Sequence, residues 1–220
     1  MNAFSPEFQL PPAAVPAAQG AVLAGESLGA AAALARLGAM PHLICHSAFM
    51  IERLAQQAAA TKSLSRAARE QKHLDVAELF AFVTPARVAT PTPAGLARSL
   101  GVEQGADDGE TLQAVAQDLL RRLTSPNYPF LREASEAAYF LGRTNWPWAK
   151  AVLASLTKAN PKLEMAQFAT GLNVWDRVEE WEDEGQRAQG TQLPVEGDEA
   201  KSFLRRILGK GAEQIGRAHV

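Results

Sequence analysis

The sequence PHLICHSAFMIERL at positions 41–54 opens the stretch that decides the fold. Its first part, His42–Cys45, is a short apolar run of the kind found in buried strands. After Ser47, which we expect to cap the next element, apolar residues return at the spacing of one helix face. These residues are Met50, Ile51 and Leu54. The segment therefore predicts a strand followed by an amphipathic helix.

The alternation of apolar segments continues to position 123. LDVAELFAFV at 74–83 is a second apolar segment, and an acidic residue stands near its start. TLQAVAQDLLRRL at 111–123 has apolar residues at i, i+3, i+4, i+7, i+8 and i+11, which predicts a long amphipathic helix behind Asp107. Strands and helices that alternate along the chain predict an α/β domain.

The domain organisation follows from these segments. We expect an irregular N-terminus at 1–18, which is rich in Pro and Ala, and an α/β domain at 19–125. Within the domain, Gly20–Ala24 is a predicted strand, and we expect Ser27 to cap a helix that ends near Leu37. The sequence then predicts a helical extension, an acidic linker, an amphipathic helix and an unrelated tail. Their ranges are 126–172, 173–197, 198–214 and 215–220.

The composition is that of a soluble globular protein. Of 220 residues, 47% are hydrophobic and 21% are charged, and the net charge of −2 gives no global basic field for nucleic acid. The single cysteine, Cys45, excludes a disulfide within the chain. No apolar run approaches the roughly 20 residues that span a bilayer, and no secretory signal begins the sequence. We therefore expect a cytoplasmic protein without a membrane partner.

Asp75 and Glu78, with Asp107 as a third, are the candidate catalytic acids. Paired carboxylates can hold Mg²⁺ for phosphoryl chemistry, but two-metal hydrolysis needs further acidic groups within a few ångström. The alternative is a D-x-x-E capping box, in which Asp75 is the N-cap of a helix. We favour the capping box and expect no bound metal and no secure catalytic residue in this chain.

Two other patterns have both a functional and a structural interpretation. H-x-x-C-H at 42–46 contains zinc-ligand residue types, but no second cluster completes a set of four, so we favour ordinary strand residues. The aromatic rings of Trp146, Trp148, Trp175 and Trp181 are of the type on which single-stranded bases stack. For WPW at 146–148 we favour a helix start that is pinned into the core.

A basic run at 62–72 is the candidate nucleic-acid surface. Arg66, Arg69 and Lys72 are the candidate phosphate contacts, and the alternative is a solvated face of a loop or frayed helix. The sequence has no G-x-x-x-x-G-K-[ST] loop, since LGKG at 208–211 lacks both the first Gly spacing and the Ser or Thr. We therefore expect no P-loop ATPase within these residues.

The segment 74–102 resembles the middle of a DEDD-type 3′–5′ exonuclease, where a D-x-x-E-L strand precedes a helix of the form L-x-x-L-A-x-x-L-G. The segment His46–Leu54 is similar to the H-N-x-x-F-D-x-x-x-L motif of that family. The family's first strand carries D-x-E, whereas 19–24 contains no acid. The resemblance implies a degenerate ribonuclease H-like fold with an appended small helical region.

The positions that bind metal in that family are replaced here. Ser47 stands where the motif has Asn, and the metal-binding Asp falls on Met50 or Ile51. The H-x-x-x-x-D pattern of the closing helix falls near Asp107 and Leu112, so its His is lost and its Asp is a leucine. The resemblance thus implies a nuclease framework that has lost its metal carboxylates.

A longer resemblance covers most of the chain and is to the N-terminal region of bacterial DinG-type ATP-dependent DNA helicases. The matching segments are ELFAFV at 78–83, PAR at 85–87, PTP at 91–93, WPWA at 146–149, GL at 171–172, Trp175 and Trp181. In that family the exonuclease-like region precedes a superfamily 2 motor. The resemblance implies DNA as a partner through the parent helicase and an intramolecular contact with the motor. It implies ATP and Mg²⁺ as cofactors of the motor and none in this chain.

The tail IGRAHV at 215–220 is a translation of a common sequencing adapter, and we expect it to be read-through at the end of a truncated gene. The sequence therefore predicts a non-catalytic accessory module of an ATP-dependent DNA helicase that acts in DNA unwinding and repair. The alternatives are a residual Mg²⁺-dependent 3′–5′ exonuclease and a structural protein-interaction module.

Overall fold

The computed structural model describes residues 8–59 and 62–161. All of them belong to the first of the chain's two units, Met1–Asp176. The predicted acidic linker, amphipathic helix and tail at 173–220 lie outside the described residues, as do Trp175 and Trp181.

A five-stranded mixed sheet lies at the centre of the described structure, in the order β3-β2-β1-β4-β5. Strands β1 (Ala13–Pro16), β2 (Ala21–Leu23) and β3 (Glu26–Leu28) form an antiparallel meander. Strands β4 (Leu43–Ile44) and β5 (Leu74–Asp75) continue the sheet in parallel to β1. Parallel neighbours need a crossover connection, and helices supply it before β4 and again before β5. The predicted α/β class is confirmed.

Eight helices occur in the described residues. They are α1 (Ala30–Ala39), α2 (Ser47–Gln57), α3 (Lys62–Glu70), α4 (Val76–Val83), α5 (Pro93–Leu100), α6 (Asp108–Leu123), α7 (Leu131–Arg143) and α8 (Ala149–Ala159). Within this part of the chain, no helix is long and apolar enough to span a bilayer.

The two faces of the sheet carry separate apolar cores, because successive residues of a strand point to opposite sides. Ala14 and Ile44 belong to the core that α1, α2 and α3 cover. Val15 and Leu43 belong to the larger core, which α4 to α8 build. Helix α6 is the centre of this second core, and the predicted stripe is confirmed. Its buried members are Leu112, Val115, Ala116, Leu119, Leu120 and Leu123.

The N-terminal part differs from the sequence prediction. Residues 13–16, which we expected to be irregular, form β1, so the strand predicted at 20–24 is the second and not the first. Ser27 does not cap a helix but lies in β3, and α1 begins after Gly29. Strands this short have little periodicity of their own, and their pairing partners decide their conformation. Gly20, with φ 102°, permits the tight connection between β1 and β2.

Two further elements differ in detail. The basic run that we expected to be a loop or frayed helix forms α3. Helix α2 has the predicted inward stripe, but its N-cap is His46 and not Ser47. His46 adopts the left-handed conformation with φ 59°, and its Nδ1 accepts a hydrogen bond from the Phe49 backbone N–H at 3.3 Å.

The described part of the predicted helical extension, 126–161, shares the larger core with the rest of the domain. Ala138 of α7 and Val152 of α8 are fully buried in the same apolar cluster as α6. The Tyr128 hydroxyl also donates a hydrogen bond to the Val83 carbonyl at 3.0 Å, and burial raises the pKa of that phenol. The extension is therefore continuous with the domain core up to the end of the described residues.

Removal of a side chain from the centre of α6 should strongly destabilise the domain. Leu119 is fully buried, so Leu119→Ala should lower the free energy of unfolding by about 2–5 kcal/mol, because a cavity remains in the core. Gln117 lies on the exposed side of the same helix, and Gln117→Ala should change the stability by less than about 0.5 kcal/mol. Urea unfolding followed by circular dichroism measures both variants. Equal effects would show that the core assignment of α6 is wrong.

Candidate functional site

The Asp75 carboxylate lies at the end of β5, where the sheet meets the first turns of α2 and α4. Its side chain is only 6% exposed. Oδ1 accepts hydrogen bonds from the backbone N–H groups of His46 at 3.1 Å, Ala77 at 2.9 Å and Glu78 at 3.4 Å. Oδ2 accepts one from the Ser47 N–H at 2.6 Å. Both oxygens of this candidate metal ligand are therefore engaged by the main chain of two helix N-termini.

Asp75 is also held through its own backbone. The indole N–H of Trp148, which is fully buried, donates to the Asp75 carbonyl at 2.7 Å. The prediction that WPW at 146–148 pins a helix into the core is confirmed for Trp148. The position of Asp75 is thus fixed from β5, α2, α4 and the start of α8 together.

Glu78 does not complete the predicted capping box. Its Oε2 accepts a hydrogen bond from the Trp146 indole N–H at 3.2 Å, and the Trp146 ring packs on Phe82 with 4.9 Å between the ring centroids. Although the residue is exposed, partial loss of water around the carboxyl, together with the nearby Asp75 charge, raises the pKa of Glu78. The carboxyl of Glu78 therefore joins α4 to the segment before α8.

Asp107 lies at the N-terminus of α6, where it is the N-cap. Its Oδ1 accepts a hydrogen bond from the Glu110 N–H at 2.8 Å, and the Glu110 Oε2 accepts one from the Ala106 N–H at 2.9 Å. Asp107 is exposed and Asp75 is buried. The three candidate catalytic acids therefore each accept hydrogen bonds within the fold. The donors are backbone N–H groups for Asp75 and Asp107 and the Trp146 indole N–H for Glu78.

The described residues contain no group of three or more His, Cys, Asp or Glu side chains that could together hold a metal ion. At the positions where the exonuclease resemblance places ligands, the side chains are core residues. Met50 and Ile51 are each 2% exposed, and Leu112 is fully buried. The convergence of Asp75, Glu78 and Asp107 that a residual nuclease requires is thus not present in this part of the chain.

The fold places the residues of the H-x-x-C-H pattern in different environments. His42 is buried, Cys45 is buried and burial raises its pKa to about 12, and His46 is exposed. His42 instead contacts His73, which sequence reasoning did not single out. The His42 backbone N–H donates to His73 Nδ1 at 3.1 Å, and His73 Nε2–H donates to the Ala68 carbonyl at 3.0 Å. These two bonds fix His73 as the neutral Nε2–H tautomer.

The basic run of α3 is exposed and largely paired with acids. Arg66 forms an ion pair with Glu70 at 2.6 Å, and Arg69 forms one with Glu52 of α2. Lys72 donates to the Asn145 side-chain oxygen at 3.3 Å. Exposed ion pairs are worth about 0.2–1 kcal/mol, so a phosphate group can displace the acidic partners at small cost. The assignment of these three residues to phosphate contacts stays a prediction.

A groove lies between the β1–β2 hairpin and the first turn of α6, and its volume is about 560 Å³. Its lining residues are Pro12, Ala13, Val15, Pro16, Val22, Ala24, Gly25, Asp107, Asp108, Gly109, Glu110 and Gln113. The apolar residues come from β1, β2 and the residues that flank them, and the acidic residues come from the N-terminal end of α6. This groove was not predicted, because residues 13–16, which form β1, were expected to be irregular.

No protein-family model, curated protein or solved structure matches the chain.

Loss of the Asp75 carboxylate should destabilise two helix starts at once. Asp75→Ala removes four acceptor contacts, and since one N-cap contributes about 0.5–2 kcal/mol, we expect a loss of about 3 kcal/mol in unfolding free energy. Asp107→Ala removes a single cap and should cost about 1 kcal/mol. Denaturant titration measures both. A rise in Tm on addition of Mg²⁺ that the Asp75→Asn variant lacks would contradict the structural role and indicate a metal site.

The buried histidine pair should make the domain sensitive to acid. Burial lowers the pKa of His42 and of His73, and for His73 the nearby His42 ring acts in the same direction. Because both folded pKa values lie below the unfolded value of about 6.5, the unfolded chain binds more protons below that pH. Stability should therefore be level above about pH 6.5 and should fall as the pH drops below it.

His73→Gln retains one hydrogen-bond acceptor and one donor but does not titrate. The variant should therefore lose less stability than the wild-type chain as the pH drops below about 6.5. Gln117→Ala is the control, since Gln117 is exposed and does not titrate, and it should leave the slope below pH 6.5 unchanged. Thermal unfolding between pH 5 and pH 8 measures the slopes. An unchanged slope in His73→Gln would exclude His73 as its origin.

Proposed function

We propose that the described domain is a non-catalytic accessory module with a degenerate ribonuclease H-like fold. The observation that carries the proposal is the use of both Asp75 oxygens by four backbone N–H groups. A buried carboxylate that accepts four backbone hydrogen bonds stabilises helix starts, and beside those bonds only one acceptor position of Oδ2 remains. The mixed sheet, with an antiparallel meander continued by two parallel strands, is compatible with the proposed fold.

We propose further that the module belongs to a DinG-type ATP-dependent DNA helicase that acts in DNA unwinding and repair. The support is the set of shared segments, of which the structure describes ELFAFV at 78–83 and WPWA at 146–149. These two segments meet in the fold, because Trp146 contacts both Glu78 and Phe82, and Trp148 binds the residue that caps α4. Two segments that are distant in sequence and in direct contact are consistent with one inherited structural unit.

In this proposal the chemistry is supplied elsewhere. ATP and Mg²⁺ are cofactors of a motor outside the described residues, and the module contacts that motor within the same protein. DNA is the partner of the parent helicase. The exposed cations of α3 are the part of the module that is best placed to assist DNA binding, since their acidic partners are themselves exposed.

A nuclease and DNA-binding experiment tests the proposal. We expect the chain to leave 5′-labelled single-stranded DNA intact in Mg²⁺ or Mn²⁺, as resolved on denaturing gels. We expect weak DNA binding in fluorescence anisotropy that declines as salt rises. Replacement of Arg66, Arg69 and Lys72 by Ala should reduce the slope of log affinity against log salt by about 2, since each lost phosphate contact on a single strand contributes about 0.7.

The matched control replaces Arg98, Arg132 and Lys150 by Ala, since these cations are also exposed but lie on other helices. The control should retain the slope of the wild-type chain. Metal-dependent digestion that Asp75→Asn abolishes would favour the residual exonuclease and reject the non-catalytic role. Absence of DNA binding together with absence of digestion would favour the structural protein-interaction module. A gene that continues past Gln214 without a helicase P-loop would reject the parent assignment.

A further inference from the structure

The groove between the β1–β2 hairpin and α6 is a second surface that the proposed function does not use. Its volume of about 560 Å³ is within the range of sites that hold small molecules or a few side chains. The groove exists because α6 begins directly over β1. A Cβ atom added at Gly109 would lie 3.5 Å from the Ala13 Cβ, so the first turn of α6 touches the strand there. The hairpin residues beyond that contact line an open groove.

The floor of the groove is apolar and belongs to the sheet. Val15 of β1 and Val22 of β2 are direct partners in the antiparallel register, so their side chains share one face. Val15 is 6% exposed, and Val22 is half-buried against the larger core. Pro12, Pro16 and Ala24 extend this apolar surface at its ends. The floor therefore suits an apolar side chain.

The rim of the groove is acidic and is held in position by hydrogen bonds. Asp107 and Glu110 each use one oxygen in a hydrogen bond from a backbone N–H, which fixes their carboxylates. The Gly105 N–H donates to the Thr111 hydroxyl at 3.0 Å and ties the preceding loop to the same turn. Asp108 is exposed and lines the groove as well. None of these three carboxylates forms an ion pair with a cation of the described residues.

We propose that this groove docks a cationic peptide segment of a protein partner. An aliphatic side chain of the segment lies on Val15 and Val22, and an Arg or Lys side chain reaches the carboxylates of the rim. Helix capping uses one oxygen each of Asp107 and Glu110, so the other oxygen of each and the Asp108 carboxylate can meet a cation beside the apolar floor. The same negative rim repels phosphate, so nucleic acid is the wrong occupant.

A pair of short peptides tests the proposal on the full chain. The probe is fluorescein-labelled Arg-Val-Arg-Val-Arg, and the matched control is Glu-Val-Glu-Val-Glu with the same label. We expect the arginine peptide to bind, with amide shifts in ¹⁵N spectra at Val22 and Gly109, and the glutamate peptide not to bind. Affinity should fall as salt rises, because the rim is exposed. Equal binding of both peptides, or shifts confined to other elements, would overturn the proposal.

Variants that remove the negative charges of the rim but keep the helix cap test whether those charges bind the peptide. Asp107→Asn, Asp108→Asn and Glu110→Gln together should weaken binding of the arginine peptide about tenfold, because three exposed ion pairs of ordinary strength multiply to that factor. Asn is as good an N-cap as Asp, so the helix should persist. Glu103→Gln removes one acid of the preceding loop that does not line the groove, and it should leave the affinity unchanged. Unchanged affinity in the triple variant would overturn the proposal.

A steric variant and three further measurements separate the remaining occupants. Gln113→Trp fills the groove from α6 and should abolish binding, whereas Gln117→Trp, on the exposed side of the helix, should not.

Displacement of the peptide by single-stranded DNA would assign the groove to nucleic acid. Tighter peptide binding after deletion of residues 1–7 would assign it to the chain's own N-terminal segment, and loss of binding as the chain self-associates would assign it to a second copy. Each of these three results would overturn the assignment to a partner. The inference does not rest on the proposed helicase role, since nuclease activity or DNA binding elsewhere leaves its outcome unchanged.

Discussion

Four backbone N–H groups point at one buried carboxylate, that of Asp75, where β5 ends. The first N–H groups of a helix have no partner within it, and their partial positive charge favours an anion. Here one anion serves the first turns of α2 and α4 together. The strands beside it contain only two residues each, so they cannot fix the direction of those helices alone. The carboxylate therefore helps to fix how α2 and α4 leave the sheet.

The four hydrogen bonds to Asp75 also explain why its carboxylate stabilises the fold. Around Asp75 lie main-chain donors, the indole of Trp148 bound to its carbonyl, and the side chains of Cys45, His73 and Glu78, with which its charge interacts. Met50 and Ile51 are buried in the apolar core that α1, α2 and α3 cover, where a carboxylate would need a counter-ion or water. An acidic side chain at either position would be expensive to bury without a cation. The arrangement thus favours packing at these two positions, as the proposed scaffold role requires.

The two surfaces with functional proposals differ in charge and in rigidity. Helix α3 presents arginines whose acidic partners are exposed and exchangeable, so a polyanion can compete for them. The rim at α6 presents carboxylates that are fixed by hydrogen bonds beside an apolar floor, so a cationic segment meets an ordered surface. Under the two proposals, one surface of the module would contact DNA and the other a protein. The two surfaces belong to different faces of the sheet, α3 with one core and α6 with the other.

The sequence alone determined the elements whose pattern repeats over several turns. The stripe of α6, the stripe of α2 and the strand at Leu43–Ile44 followed from spacing, because burial of one helix face or of a short apolar run is a local property. The role of Asp75 as an N-cap followed from its local pattern, but its bonds to α2 did not. Tertiary structure alone decided β1 and β3, the pairing of His42 with His73, and the groove at α6. These features arise from contacts between residues that are distant in sequence, and short strands or single polar side chains carry no periodic signal of such partners.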